Sequence, residues 1–272
     1  MRRLRPSRLA SLLLPVALLS VGTLDAQESE KRVVAVLQYD NNTGDERYEH
    51  LGRAFSSMMI SDLSSIERIR LVERERLDEL LAELDFQQSG YVDPESAQTV
   101  GMMLGAQYVV AGAFLTVDPD MRLDTRIAKV ETSEIVTTAE VTGQQETLFE
   151  LQQRLAEQLV QGFELVLTEE EQASLAAQQE ANRIDDLETM VKFSEALCLL
   201  DYGAYLEAGE LMQDVQQSAP GSQLVRATMG VMQDKAEEEA ERQLRSEANR
   251  RIGGLLGRRS SAPEPTPRPA QC

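Results

Sequence analysis

The apolar run from Val33 to Leu37 is the feature that most limits how this chain can fold. It is continuous and rich in valine, whereas a strand with one wet face alternates apolar and polar residues. A run of this kind indicates a strand buried on both faces, and such strands lie in sheets that are covered by helices. The run therefore predicts an α/β arrangement for the part of the chain around it.

The segments after this strand alternate between helical and extended patterns. Residues 51–63 have apolar side chains at helical spacing, and residues 69–72 predict a second strand. A narrow leucine stripe over residues 77–84 predicts a second helix, and Asp93-Pro94 predicts the start of a third. Tyr108–Leu115 then predicts a third strand.

An alternation of apolar and polar residues predicts two further strands. Leu123, Thr125 and Ile127 alternate with charged residues, and residues 135–141 repeat the pattern after a short turn. Leucines from residue 148 onward predict a long closing helix. The order β-α-β-α-α-β-β-β-α predicts an α/β (α+β) fold, in which a mixed β-sheet packed with helices starts with a βαβ unit and ends in an antiparallel meander.

The second half of the chain has a helical pattern. Gly203, Tyr205, Ala208 and Pro220 fall at spacings that resemble the second half of a tetratricopeptide repeat. An ordinary helical hairpin with similar packing is the alternative. In either case one hairpin cannot bury its own apolar face, so it must pack on its neighbours or on a partner.

The two ends of the chain have distinct compositions. Four arginines precede the apolar stretch from Leu9 to Leu24, which is typical of a signal peptide, with an uncleaved membrane anchor as the alternative. The end of the chain is rich in proline. The predicted divisions are a signal peptide (1–26), an α/β domain (27–167), a helical linker (168–184), a tetratricopeptide-like module (185–251) and a disordered tail (252–272).

The charge of the chain limits its partners. It has 46 acidic and 27 basic residues, and without residues 1–26 the counts are 45 and 23, a net charge of −22. A surface this acidic repels nucleic acid, so no nucleic-acid partner is expected. No stretch after residue 26 is long and apolar enough to span a membrane as a helix. Peripheral membrane association and homo-oligomers are compatible with this composition.

The sequence contains no recognisable catalytic or cofactor-binding motif. It lacks a phosphate loop, a dinucleotide fingerprint, a nucleophile elbow and a paired-cysteine metal motif. His50 is the single histidine, and a lone histidine more often packs than catalyses. Cys198 and Cys272 are too few for a disulfide framework. We therefore expect a protein that is not an enzyme and has no metal or other cofactor.

The stretch from Val33 to Phe163 resembles the CsgG family, named after the curli production assembly and transport component. The resemblance runs in order through residues 40–44, 71–81, 104–112 and 128–136. Most of its motif positions have a structural explanation in a turn, a strand end or close helix–strand packing. The motif positions are Thr43, Gly44, Glu73, Arg74, Gly105, Ala106 and Gly112.

The resemblance implies a non-enzymatic assembly or secretion accessory protein that acts by protein–protein contact with envelope proteins. Its expected location is the periplasm of a Gram-negative bacterium, in association with the outer membrane. The chain departs from the pore-forming members because its turns are short and no candidate cysteine for lipidation follows the signal peptide. We therefore expect that it is not itself a pore. The alternative is a periplasmic activator of cell-wall synthesis of the LpoB type, which has a related fold.

Overall fold

The chain forms a mixed sheet followed by a series of helices. The structure, a computed structural model, describes residues 31–73, 94–117 and 119–255. The strands are Arg32–Val36 (β1), Asp40–Asn41 (β2), Ile69–Leu71 (β3), Tyr108–Val117 (β4), Asp120–Lys129 (β5) and Glu134–Gln144 (β6). The helices are Leu51–Leu63 (α1), Pro94–Leu104 (α2), Leu148–Gly162 (α3), Glu169–Ala181 (α4), Leu187–Asp201 (α5), Tyr205–Ser218 (α6) and Gln223–Leu255 (α7).

The sheet has the strand order β3-β1-β4-β5-β6, and the short β2 pairs with β4. Strand β1 is parallel to both β3 and β4, with α1 as the connection to β3. Strands β4, β5 and β6 are antiparallel neighbours. The predicted fold class is therefore confirmed, with its βαβ start, its antiparallel meander and the helices that follow.

Strand β1 is buried on both faces, as its apolar run predicts. Val34 and Val36 belong to a large core cluster together with residues of α1 and α3. Ala35 and Leu37 belong to a smaller cluster on the other face, which includes Val100 of α2. The sheet is thus a middle layer between helices, and each face of β1 contributes to a different cluster.

Three features differ from the predicted elements. The predicted loop at Asp40-Asn41 includes β2, which pairs in parallel with Ala113 and Phe114. In β6, the register shifts opposite Ile127 and Ala128, so that Val136 has no partner on β5. Helix α7 continues to Leu255, past the predicted start of the tail.

Several predictions lie outside the described residues. They are the signal peptide, the second helix over residues 77–84, Asp93 as a helix cap, and the part of the tail from residue 256 onward. The domain boundaries also stay predictions.

The helices of the second half share the core of the sheet. Leu175 of α4 and Met190 and Phe193 of α5 belong to the same cluster as Leu51 of α1 and Leu148 of α3. Helix α5 packs against α1, α6 packs against α5, and α7 packs against α6. The helical segment is therefore attached to the α/β part through α1.

Candidate interaction site

The first family motif forms a hydrogen-bonded loop that leads toward α1. The Asn41 Oδ1 atom accepts hydrogen bonds from the Thr43 backbone N (2.9 Å) and from Thr43 Oγ1 (2.6 Å). The Asp45 backbone N donates to Thr43 Oγ1 at 3.0 Å, and Gly44 lies between them. Asp45 then caps the short helical turn Glu46–Tyr48. Thr43 and Gly44 therefore shape the chain before the helix.

The glycine and alanine after α2 form a helix end. Gly105 has φ +67°, a left-handed backbone conformation that glycine adopts without strain and that commonly ends helices. The Ala106 backbone N donates to the Gly101 carbonyl oxygen at 2.9 Å, and the Ala106 side chain is buried against the sheet. This pair turns the chain directly into β4.

The remaining motif residues lie elsewhere. Gly112, in the middle of β4, faces the ring of Tyr39, and a Cβ atom there would lie 2.3 Å from that ring. Glu73 is exposed just after β3, and Arg74 lies outside the described residues. The motif positions thus make their contacts in separate places, and the structure does not bring them together into one site.

The tetratricopeptide-like residues form the turns of a helical hairpin. Gly203 has φ +76° between α5 and α6, and its backbone N donates to the Leu200 carbonyl oxygen. Tyr205 begins α6, Ala208 is fully buried, and Pro220 lies in the turn before α7. A hairpin is what both interpretations of the sequence require, so the tetratricopeptide assignment stays a prediction.

Two ion pairs attach this helical segment to the α/β part. Arg53 of α1 donates from Nε to Asp201 Oδ2 at the end of α5 (2.9 Å), and both side chains are largely buried. Arg68, in the loop after α1, contacts Glu171 of α4 at 2.6 Å. Its Nη2 atom also donates to the Val166 carbonyl oxygen. We call the region where α1 and α3 meet α4 and α5 the junction.

A buried polar cluster lies in the junction between these ion pairs. Asp62 of α1 is 1% exposed and accepts hydrogen bonds from Gln152 Nε2 (3.2 Å) and Asn182 Nδ2 (3.3 Å). Asn182 Nδ2 and Gln178 Nε2 also donate to Ser61 Oγ. Burial raises the pKa of Asp62 to about 7, while the surrounding amide groups act in the opposite direction.

This cluster was not predicted from the sequence. The sequence gives a weak indication of the cluster, because Asp62 lies next to Leu63 on the apolar face of α1. Gln152 likewise stands next to Leu151 on the inner face of α3. Polar residues on a buried face require partners, but the partner of Asp62 on α3 is 90 residues away in sequence. No local pattern connects the two.

The surface of the helical segment is strongly acidic. Between residues 169 and 239, acidic side chains outnumber basic ones by sixteen to four. Large apolar side chains are exposed among them, namely Tyr202, Leu206 and Val231, and Leu244 is exposed further along α7. Acidic surface with scattered apolar side chains is compatible with protein contact and unfavourable for phosphate binding.

His50 and Cys198 each have a structural setting. His50 is the residue before α1, and burial, followed by the charge of Arg53, lowers its pKa. Cys198 is buried in α5 and disulfide-bonded. The two cysteines of the sequence did not predict a disulfide framework, and Cys272 lies outside the described residues.

The described part of the chain contains neither a metal-binding cluster nor a membrane-spanning helix. No group of three or more histidine, cysteine, aspartate or glutamate side chains there is placed to hold a metal ion. None of the described helices combines the length and the apolar character that a membrane crossing requires.

The chain combines a mixed-sheet α/β domain with a packed helical extension, and part of the first of these matches a known family. The family described as curli production assembly/transport component CsgG matches residues 17–122. This match confirms that the chain resembles the CsgG family over this range. The stretch 128–136 lies beyond the match, so that part of the resemblance stays a prediction.

Solved structures with similarity to the chain include three from bacterial proteins. The LpoB C-terminal domain from Salmonella enterica has 19% identity and a TM-score of 0.37, covering 43% of this chain and 85% of that one. Lipoprotein GNA1162 from Neisseria meningitidis has 9% identity and a TM-score of 0.35, covering 41% and 81%. A PelC dodecamer from Paraburkholderia phytofirmans has 15% identity and a TM-score of 0.30, covering 48% and 87%.

These identities and scores are too low to transfer a function. The search of the curated proteins found no match.

Proposed function

We propose that this protein is a non-enzymatic accessory factor in assembly or secretion at the envelope of a Gram-negative bacterium. It is exported to the periplasm, where it associates with the outer membrane and acts by contact with envelope proteins or with further copies of itself. The observation that carries this proposal is the CsgG-family match over residues 17–122. The acidic surface of the helical segment and the predicted signal peptide support it.

The chain is proposed to act without forming a pore. Strands β4 and β5 pair as far as Val117 and Asp120, and β5 and β6 join through residues 130–133. One face of β5 and β6 packs on α3 through residues such as Ile127 and Val141. The other face of β5 carries Arg122, Asp124 and Arg126, of which the first two form an ion pair. Charged residues on this face are unfavourable against lipid.

Protein contact is also the simplest use of the helical segment. Its inner side packs on α1, and exposed side chains such as Leu206 and Val231 remain on its surface. Activation of cell-wall synthesis remains the competing role, which the identity of the partner would decide.

Site-specific photo-crosslinking in the native host tests this proposal. A photoreactive amino acid would replace Leu206 or Val231, and Glu131, which is exposed in the β5–β6 turn, would serve as the control position. We expect crosslinks to envelope assembly or secretion proteins from the helical positions, identified by mass spectrometry.

Three results would contradict the proposal or favour another role. Crosslinks to a wall-synthesis enzyme would favour the activator role. A protein that forms no crosslinks in the periplasm would contradict the proposal. Conductance steps of the purified protein in planar bilayers would show that it forms a pore after all.

A further inference from the structure

The carboxyl group of Asp62 is buried without a cation beside it. Its described hydrogen-bond donors are the neutral amides of Gln152 and Asn182, at 3.2 and 3.3 Å. Both distances are long for hydrogen bonds to a charged carboxylate, which are commonly shorter than 3 Å. A buried carboxylate with so little compensation is unfavourable, whereas a protonated carboxyl group in the same place has no net charge to solvate.

The surrounding amides have unused hydrogen-bonding capacity. Gln152 Oε1 and Asn182 Oδ1 are buried acceptors without a hydrogen-bond partner among the described residues. With Asp62 ionised, Gln152 donates to it. With Asp62 protonated, a rotation of the Gln152 amide lets its oxygen accept the new proton of Asp62. The cluster therefore has two hydrogen-bonding arrangements that differ by one proton.

The cluster connects the two halves of the described structure. Asp62 and Gln152 belong to α1 and α3 of the α/β part, whereas Gln179 and Asn182 belong to α4 and its C-terminal cap. The Asn182 carbonyl oxygen also accepts a hydrogen bond from Ser222 Oγ, just before α7 (3.1 Å). A change at Asp62 thus reaches the end of α4 and, through Asn182, the start of α7.

We propose that Asp62 makes the attachment of the helical segment to the α/β domain sensitive to pH. When Asp62 is protonated the junction is closed, and when Asp62 is ionised the packing of α4 and of the following α5 against α1 loosens. The proposal concerns the fold of the chain itself and does not depend on the proposed function.

The groups that face Asp62 from each element set the pH range. Gln152 faces it from α3, Gln179 faces it from α4, and Asn182 faces it from the cap of α4. All three are neutral, and among the described residues no charged group contributes to the pKa of Asp62. Burial, the largest influence, raises this pKa to about 7. The proton therefore leaves as the pH rises through neutrality, and the junction loosens on the alkaline side.

Hydrogen exchange of the full chain tests the proposal. After correction for intrinsic rates, the amides of residues 178–190 should lose about tenfold or more of their protection between about pH 5.5 and about pH 8.5, relative to amides of β4. In Asp62→Asn, which is neutral at every pH, the same ratio should stay within about twofold.

Two control variants separate the carboxyl group from its surroundings. Ser61→Ala removes hydrogen bonds of the cluster but keeps the carboxyl group, so its pH dependence should match that of the wild type. His50→Gln removes the histidine before α1, and it should also behave as the wild type. The proposal is wrong if the wild type shows no such change, if Asp62→Asn retains it, or if His50→Gln abolishes it.

A second measurement applies if Asp62→Asn does not fold. The carbon-13 chemical shift of the Asp62 carboxyl group in the wild type should titrate with a midpoint near neutrality. A midpoint below about pH 5, close to that of an ordinary aspartate, would overturn the proposal.

Discussion

Tyr39 shows how one side chain determines the residues around it. Its ring packs against Phe55, and Phe55 packs edge-on against Phe114. Its hydroxyl group forms a buried 2.9 Å hydrogen bond with Thr125 Oγ1, and burial raises the pKa of the phenol. The ring lies so close to β4 that only glycine fits at position 112, which explains one of the family-motif positions through packing alone.

Gly112→Ala tests this close contact. A Cβ atom would approach the ring of Tyr39 to 2.3 Å, and this ring is held by its packing on Phe55 and its hydrogen bond with Thr125. We expect the free energy of unfolding to fall by about 1–3 kcal/mol in urea denaturation. Gly209→Ala in α6 is the matched control, because a Cβ atom there meets nothing within 4 Å. It should raise the stability by about 0.5–1 kcal/mol, and equal effects of the two variants would refute the packing argument.

Asp62→Asn tests the cost of the buried carboxylate. The pKa of about 7 in the folded state exceeds the value of about 3.9 expected in the unfolded chain. The wild type therefore loses stability as the pH rises from about 4 to about 7, and this loss persists above neutrality. We expect Asp62→Asn to be more stable than the wild type by roughly 2–4 kcal/mol at about pH 8, with a difference near zero at about pH 4. Urea denaturation at several pH values measures this, and a difference that is constant with pH would contradict it.

Helix α4 depends on its ends more than on an apolar stripe. Most of its side chains are polar or small, and Leu175 and Gln179 are its buried residues. The capping box at its start satisfies free backbone N–H groups through Thr168 and Glu171. The Arg68 hydrogen bond lowers the pKa of Glu171, so the cap is also linked to the loop after α1.

Thr168→Ala should therefore weaken α4. Loss of the hydroxyl acceptor should reduce the free energy of unfolding by about 1 kcal/mol, whereas Thr168→Ser keeps the acceptor and should stay near the wild type. Circular dichroism during thermal unfolding compares the two variants. If serine and alanine have the same effect, the cap does not stabilise the helix.

Most described elements could be predicted because their signals are local. The apolar run of β1, the alternation in β5 and the capping box of α4 each lie within a few residues. Strand β2 was missed because its two residues, Asp40 and Asn41, are polar and pair only with the distant Ala113 and Phe114. The shift at Val136 was missed for the same reason, since it depends on the register with β5. Pairing between distant segments leaves little trace in a local pattern.

The junction determines how the two parts of the described structure hold together. Arg53 and Asp201 are 148 residues apart in sequence and form a largely buried ion pair. The apolar contacts of α1 with α5 surround this region. The sequence predicts a hairpin whose apolar face must pack against another surface. It does not identify α1 as that surface, because an apolar helix face does not specify its partner.

A double-mutant cycle on Arg53→Ala and Asp201→Ala measures the electrostatic part of this attachment. We expect a coupling energy of about 1–3 kcal/mol, because both side chains are largely excluded from water. The matched control is the exposed pair Glu241 and Arg245 on α7, whose coupling should stay below about 0.5 kcal/mol. Similar values for both pairs would show that burial of the first pair is irrelevant.

The shared core has a consequence for protein engineering. Met190 and Phe193 of the hairpin share a core with residues of the α/β part, so the hairpin cannot be transferred to another protein by itself. Grafted onto an unrelated scaffold, the hairpin would expose this apolar face to water. It would then aggregate or bind other proteins through that face. A segment that is to be transferred should therefore include α1 as well as the hairpin.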